Sequence, residues 1–184
     1  MCACVCTSAL PCCRCERQGV VGVHDFIRNC EGWVVQQPAG ASFRHTPQGR
    51  FGRGAFAARI PAAGETTEAV LLKTYQPPLD LRGRDNGRLV ALCAWIYLPS
   101  SASKWNVILG VYCGSDWHWC ASSQSNLLPG WHRICLAGDL ISDPSTIQQM
   151  KVAVISEFME DSTVVLDRVS LLYESAGGGE GDVL

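Results

Sequence analysis

The chain has 184 residues, 47% hydrophobic and 17% charged, which supplies apolar material for a sizeable single core and excludes wholesale disorder. Its formal net charge is −2 and no polybasic run appears, so the electrostatic footprint of a nucleic-acid-binding protein is missing. No stretch approaches the roughly 18 uninterrupted apolar residues of a transmembrane helix.

Residues 1–22 read as a Cys-rich head. Cys2, Cys4, Cys6, Cys12, Cys13 and Cys15 crowd into it, while Cys30, Cys93, Cys113, Cys120 and Cys135 are scattered. Thiolates this close suit a soft metal such as zinc or copper(I), although only Cys12 and Cys15 have knuckle spacing. Acylation near an N-terminus is a second reading, and a disordered or atypical leader a third. The scattered cysteines are odd in number and show no disulfide framework. Cys93 and Cys135 fall in strand-like runs, where free thiols behave as small buried hydrophobes.

From residue 23 to residue 173, apolar residues recur every second position or in short runs, punctuated by Gly, Pro, Asn, Asp and Ser. That rhythm predicts an all-β sandwich of two antiparallel sheets. Strands are expected at 24–27, 32–36, 55–60, 69–75, 88–98, 106–113, 131–136, 148–156 and 163–173. Pro61, Pro77, Pro78, Pro99, Pro129 and Pro144 fall between them, as suits residues that cannot donate to a ladder. Residues 88–98 and 164–172 are apolar on both faces and read as central strands. Asp143-Pro144 suggests a short helical turn within 139–147. Residues 174–184, rich in Gly and acids, have linker composition.

One segment carries candidate ligand chemistry. Tyr112-Cys113-Gly114-Ser115-Asp116-Trp117-His118-Trp119-Cys120 places two indoles two residues apart, on one side of an extended chain. Asp116, His118, Ser122, Ser123, Gln124 and Asn126 surround them with polar groups. Flat aromatic surface beside hydrogen-bonding groups matches a sugar ring, whose C–H faces are weakly apolar and ringed by hydroxyls. Trp33, Trp95 and Trp131 are expected in the core. Trp105, after a Ser/Lys loop, serves either core or ligand, and Tyr75 is placed to line a rim. Arg82 and Arg84 belong to a solvated loop, or pair with uronate carboxylates.

The order of landmarks resembles a known family. His24-Asp25-Phe26-Ile27, followed by Gly32-Trp33, resembles the opening strand of jelly-roll carbohydrate-binding modules, the galactose-binding-like β-sandwiches, which often begin D-F-E and then G-W. Gly52-Arg53-Gly54-Ala55-Phe56-Ala57-Ala58 is similar to their next strand. The strand ending at Leu98-Pro99, the run Pro129-Gly130-Trp131-His132-Arg133-Ile134 and the closing Val164-Val165-Leu166-Asp167-Arg168-Val169-Ser170-Leu171 follow in the family's order. The resemblance implies a two-sheet jelly roll, a saccharide ligand and a structural calcium joining first and last strands. Asp25 and Asp167 are the implied calcium residues, whereas Ile27 stands where the family has Glu and Arg168 where Asn or Asp is common. It further implies a polysaccharide or glycan partner, an associated catalytic domain in the same or another chain, and an extracellular or cell-surface setting.

Catalytic signatures are missing. No G-x-S-x-G, H-E-x-x-H or P-loop occurs. Glu157, Glu160 and Asp161 read as a solvated acidic turn rather than a glycosidase pair. The expected function is non-catalytic binding of a glycan through Trp117, Trp119, Asp116, His118, Tyr112 and Trp105. The alternative is a protein-interaction sandwich with a metal-binding or acylated head.

Overall fold

Period-two alternation of buried side chains runs through the computed structural model, which describes residues 18–80, 88–119, 125–141 and 146–174. The strands are β1 (Gln18–His24), β2 (Trp33–Gln37), β3 (Ser42–Thr46), β4 (Ala55–Ile60), β5 (Thr66–Asp80) and β6 (Arg88–Leu98), followed by β7 (Asn106–Cys113), β8 (Asp116–Trp119), β9 (Gly130–Ala137), β10 (Thr146–Glu157) and β11 (Ser162–Glu174). A single 3-10 turn occupies Gly138–Leu140, and no α-helix occurs among the described residues. The short helical turn expected from Asp143-Pro144 falls on residues 142–145, which lie outside the described residues.

Sheet A runs β3-β4-β11-β6-β9, with β1 also paired to β11; sheet B runs β2-β5-β10-β7-β8. Neighbouring strands are antiparallel and mostly distant in sequence, the layout of a jelly-roll sandwich. Phe56, Ile96 and Leu166 from sheet A meet Leu71, Leu109 and Val152 from sheet B in one core. Burying each such side chain contributes about 1.5–3 kcal/mol. Cys120 and the head cysteines Cys2 to Cys15 lie outside the described residues.

Several expectations change. β1 spans Gln18–His24, beginning inside the stretch assigned to the head, and Asp25–Ile27, expected as strand, follow it as loop. β3 and β8 were not foreseen as strands; both are short and lie at sheet edges. β5 extends through Pro77 and Pro78. Thr74 pairs with Gln149 and Leu79 with Ile147, so the prolines sit in a bulge that makes no demand on their missing N–H.

Trp33 is buried in the core, but Trp95 and Trp131 are not part of it. They share a side of sheet A with Tyr97, because Ile96, next to Trp95, and Ile134, three residues after Trp131, take the inward positions. Cys93 and Cys135 are not free thiols. They stand directly opposite each other on β6 and β9, with Cα atoms 4.1 Å apart, and form a disulfide.

Tyr75 lines no rim. Its hydroxyl meets His24 Nε2 at 2.9 Å, and His24 Nδ1 meets Glu31 Oε2 at 2.5 Å. Glu31 Oε1 also accepts from the Phe26 backbone N–H at 2.8 Å. This chain of contacts joins β1 of sheet A to β5 of sheet B. Burial pulls the His24 imidazole below its ordinary pKa although Glu31 pulls it upward, and burial pushes the Tyr75 phenol well up.

Candidate functional site

The β7–β8 hairpin builds an aromatic ridge. Cys113 pairs with Asp116 across Gly114-Ser115, and Gly114 takes φ 60°, the left-handed backbone that such a tight turn demands. The resulting register sets Tyr112 opposite Trp117 and Gly110 opposite Trp119. Leu109, Val111 and Cys113 are buried in the core, so Gly110 and Tyr112 face outward and the two indoles join them on the outer face of sheet B.

Trp117 and Trp119 stack at 4.9 Å between ring centroids with 14° between planes, and Tyr112 packs on Trp117 at 5.5 Å. Gly110 leaves room for the Trp119 ring to come close to the backbone. A Cβ there would sit 2.2 Å from Trp119 Cε3 and 2.3 Å from Cζ3. Trp119 remains 39% exposed in that position. On the far side of Gly110, β10 places Lys151 in register, with Nζ 5.3 Å from the Trp119 ring centroid. Lys151 also pairs with Glu68 of β5 at 2.9 Å, which keeps a charged pair beside the exposed indole. The register continues the face through Gln149, Thr74 and Leu72. A flat exposed ring flanked by a cation, a carboxylate and an amide offers both stacking and hydrogen bonds to a bound molecule.

The expected site residues divide. Tyr112, Trp117 and Trp119 come together. Asp116 and His118 alternate with the indoles along β8, so strand geometry directs them away from this face. Asp116 instead accepts a hydrogen bond from Ser115 Oγ at 3.0 Å, in the turn. Trp105 belongs to the core: it is 1% exposed, its Nε1 donates to the Pro99 carbonyl at 3.1 Å, and it meets Phe158 edge-on. Asn126 is in a loop, where its backbone N–H donates to Asn106 Oδ1. Ser122, Ser123, Gln124, Arg82 and Arg84 lie outside the described residues. Gly110, Lys151, Glu68, Gln149 and Thr74 escaped sequence reasoning, because cross-strand register brings them to the indoles and no local spacing reveals it.

No family model matches the sequence, and no curated protein matches it. Solved structures do. One comes from a study of carbohydrate-binding modules of the β-sandwich superfamily, 16% identical with a TM-score of 0.55; the match covers 77% of this chain and 57% of that one. A module that recognises mannan is 13% identical with a TM-score of 0.51, covering 84% of this chain and 98% of that one. The xylanase 10B modules of Clostridium thermocellum, complexed with xylohexaose, are 10% identical with a TM-score of 0.52, covering 86% of this chain and 29% of that one. The chain has the β-sandwich fold of carbohydrate-binding modules.

That fold directs attention to Asp25 and Asp167, which line one cleft of about 170 Å³ with Phe51, Arg53 and Arg168. β11 trades one edge partner, β4, for another, β1, at this point, and Asp167 and Arg168 form the bulge between them. Arg168 takes φ 44° there. Asp167 Oδ2 accepts from Phe51 N at 3.4 Å, and the N–H groups of Arg50 and Arg168 also donate to this carboxylate. Burial nevertheless pushes the Asp167 carboxyl above its usual range, and the Asp25 carboxylate pushes it the same way.

Beside Gly49, Asp167 Oδ2 and the carbonyl oxygens of Arg53 and Gly54 converge: a Cβ there would meet them at 2.7, 2.7 and 3.1 Å. Among the described residues no three His, Cys, Asp or Glu side chains gather for a metal, so a cation here depends on such carbonyls. Arg168 Nε stands 3.7 Å from Asp25 Oδ1, beyond hydrogen-bonding distance, and is buried without a hydrogen-bond partner. Asp167 Oδ2 with the two carbonyls offers oxygens to a hard ion, and Asp25 shares the cleft with Arg53 and Arg168. Phe26, next to Asp25, is fixed by His45, whose Nε2 is 2.8 Å from the Phe26 carbonyl oxygen.

In the acidic turn between β10 and β11, Asp161 is committed to other contacts, while Glu157 and Glu160 are exposed. Asp161 accepts from Ala62 N at 3.0 Å and pairs with Arg59, and these two partners hold its carboxyl below the ordinary range.

Proposed function

We propose that the protein is a carbohydrate-binding module that holds a polysaccharide or glycan on the outer face of sheet B. The Trp119 ring, 39% exposed and held close to Gly110 beside Lys151, carries this reading. A pyranose ring stacks on the indole through its C–H face, while Lys151, Glu68 and Gln149 offer donors and acceptors to its hydroxyls. Trp117 backs Trp119 and holds its plane. The chemistry is binding alone, and its use is to keep an associated domain close to a polymer, with weak single contacts strengthened by avidity.

A structural calcium belongs to the same proposal. Asp25 and Asp167, with the carbonyls of Arg53 and Gly54, would hold it. It would add positive charge beside Asp167, while Asp25 already stands near Arg168, and tie the residue after β1 to β11.

Retention of the full chain on immobilised mannan, xylan and other neutral polysaccharides tests the function. Trp119→Ala and Trp117→Ala should lose retention while the wild type keeps it. Equal retention of both variants on the retaining polymer would remove this face from the site, and release of soluble sugar from any polymer would show catalysis instead.

A further inference from the structure

The opposite face of the sandwich has a different chemistry. On the outside of sheet A, one row of cross-strand neighbours reads Arg44, Ala57, Val165, Tyr97, Trp131. Four strand-to-strand steps make that row about 19 Å long. Ala57 and Val165 give it a low floor. Arg44 and Arg59 wall one end, where a cleft of about 280 Å³ is lined by Ser42, Phe43, Arg44, Ala57, Arg59 and Thr163. Tyr97 and Trp131, packed at 5.5 Å, close the other end, with Arg133 on the adjacent row beside Trp95.

The charge on this side is one-sided. Among the described residues, Arg44, Arg50, Arg53, Arg59, Arg133 and Arg168 stand with Asp25, Asp161 and Asp167, an excess of three cations on a chain of net charge −2. Asp161 pairs with Arg59 and Asp25 stands near Arg168, whereas Arg44 and Arg133 make no ion pair among the described residues. The outer face of sheet B, by contrast, balances Lys151 with Glu68. Guanidinium is always charged and presents a planar fork of donors that matches the oxygens of a carboxylate or sulfate. Aromatic rings in the same row give the apolar face of a sugar somewhere to rest.

We infer that the outer face of sheet A is a second, separate site, which binds an anionic polysaccharide through Arg44, Arg59 and Arg133 and the Tyr97–Trp131 pair. The shared chemistry of the ligand is a pyranose chain bearing oxyanions, carboxylated or sulfated. Occupation of the two faces by different chains would let one molecule bridge a neutral and an acidic polymer.

The test is titration calorimetry of the full chain with three oligomers of similar total charge: oligogalacturonate, a heparin oligosaccharide and oligothymidylate. The expected result is binding of one or both acidic saccharides, weakening as salt rises. Arg44→Gln with Arg133→Gln should weaken it at least tenfold, and Tyr97→Ala should weaken it too. Trp119→Ala should leave it unchanged, even where that variant loses a neutral polysaccharide, so the two sites fail separately. A response to galacturonate alone assigns carboxylated chains, and one to heparin alone assigns sulfated chains. No binding of either saccharide, equal binding of oligothymidylate, or affinity unaltered in the double arginine variant overturns the inference. Circular dichroism of each variant confirms that the loss is not unfolding, since Arg44 and Arg133 are exposed.

Discussion

Gly110→Ala isolates the stacking argument without deleting a single aromatic atom. The added Cβ falls 2.2 Å from Trp119 Cε3, closer than Cβ contacts come, so the indole must shift away from Gly110. Trp119 is already 39% exposed and moves into solvent instead of straining the core. Losing its stack on Trp117 costs about 0.5–1.5 kcal/mol. Replacing glycine by alanine inside a strand returns about 0.5–1 kcal/mol through a less flexible unfolded chain. Stability therefore changes by less than about 1 kcal/mol, or roughly 2–4 °C in Tm for a chain of this size.

The effect on binding is larger. A sugar resting on the indole covers on the order of 60 Å² of apolar surface, worth about 1.5 kcal/mol at about 25 cal/mol per Å². That corresponds to a roughly tenfold weaker Kd. Affinity electrophoresis against the retaining polysaccharide measures the Kd, and thermal melts followed by tryptophan fluorescence measure stability and ring exposure. If Gly110→Ala binds as wild type while fluorescence shows a displaced indole, Trp119 is not the platform. If the variant unfolds, Trp119 is a core residue and the site is misassigned.

Three further outcomes follow from the packing. Trp105→Ala should cost about 3–5 kcal/mol in denaturant melts while leaving sugar affinity intact below the melting range, because Trp105 fills core volume. Reducing the Cys93–Cys135 disulfide, which spans a sequence separation of 42, should lower stability by about 4 kcal/mol through the entropy of the unfolded chain, read as a drop in Tm under reductant. Calcium at about a hundredfold over its Kd should add about 2.7 kcal/mol of stability, chelator should reverse the gain, and Asp167→Asn should abolish the response; identical melts with and without chelator would remove the ion.

What local spacing can reveal is visible in the comparison of residues. Period-two alternation and proline placement were enough to read the sandwich, because burial of one strand face leaves a mark on every second residue. The two indoles of β8 were legible for the same reason. Trp95 and Trp131 were misplaced because alternation says that a residue shares a side with its second neighbours, not whether that side is core or outer face. Trp105 was ambiguous because a loop has no period at all.

The amino-acid order by itself determined the all-β class, most strand positions and the presence of an aromatic pair fit for stacking. Tertiary structure decided the rest: that Gly110 lies under Trp119, that Lys151 reaches the same ring, that Cys93 faces Cys135, and that six arginines collect on one side of sheet A. Each depends on which strand lies beside which, and in what register. Those pairings join segments far apart in the chain, so the free energy that selects them is that of the whole packed sandwich, and no short window of sequence contains it.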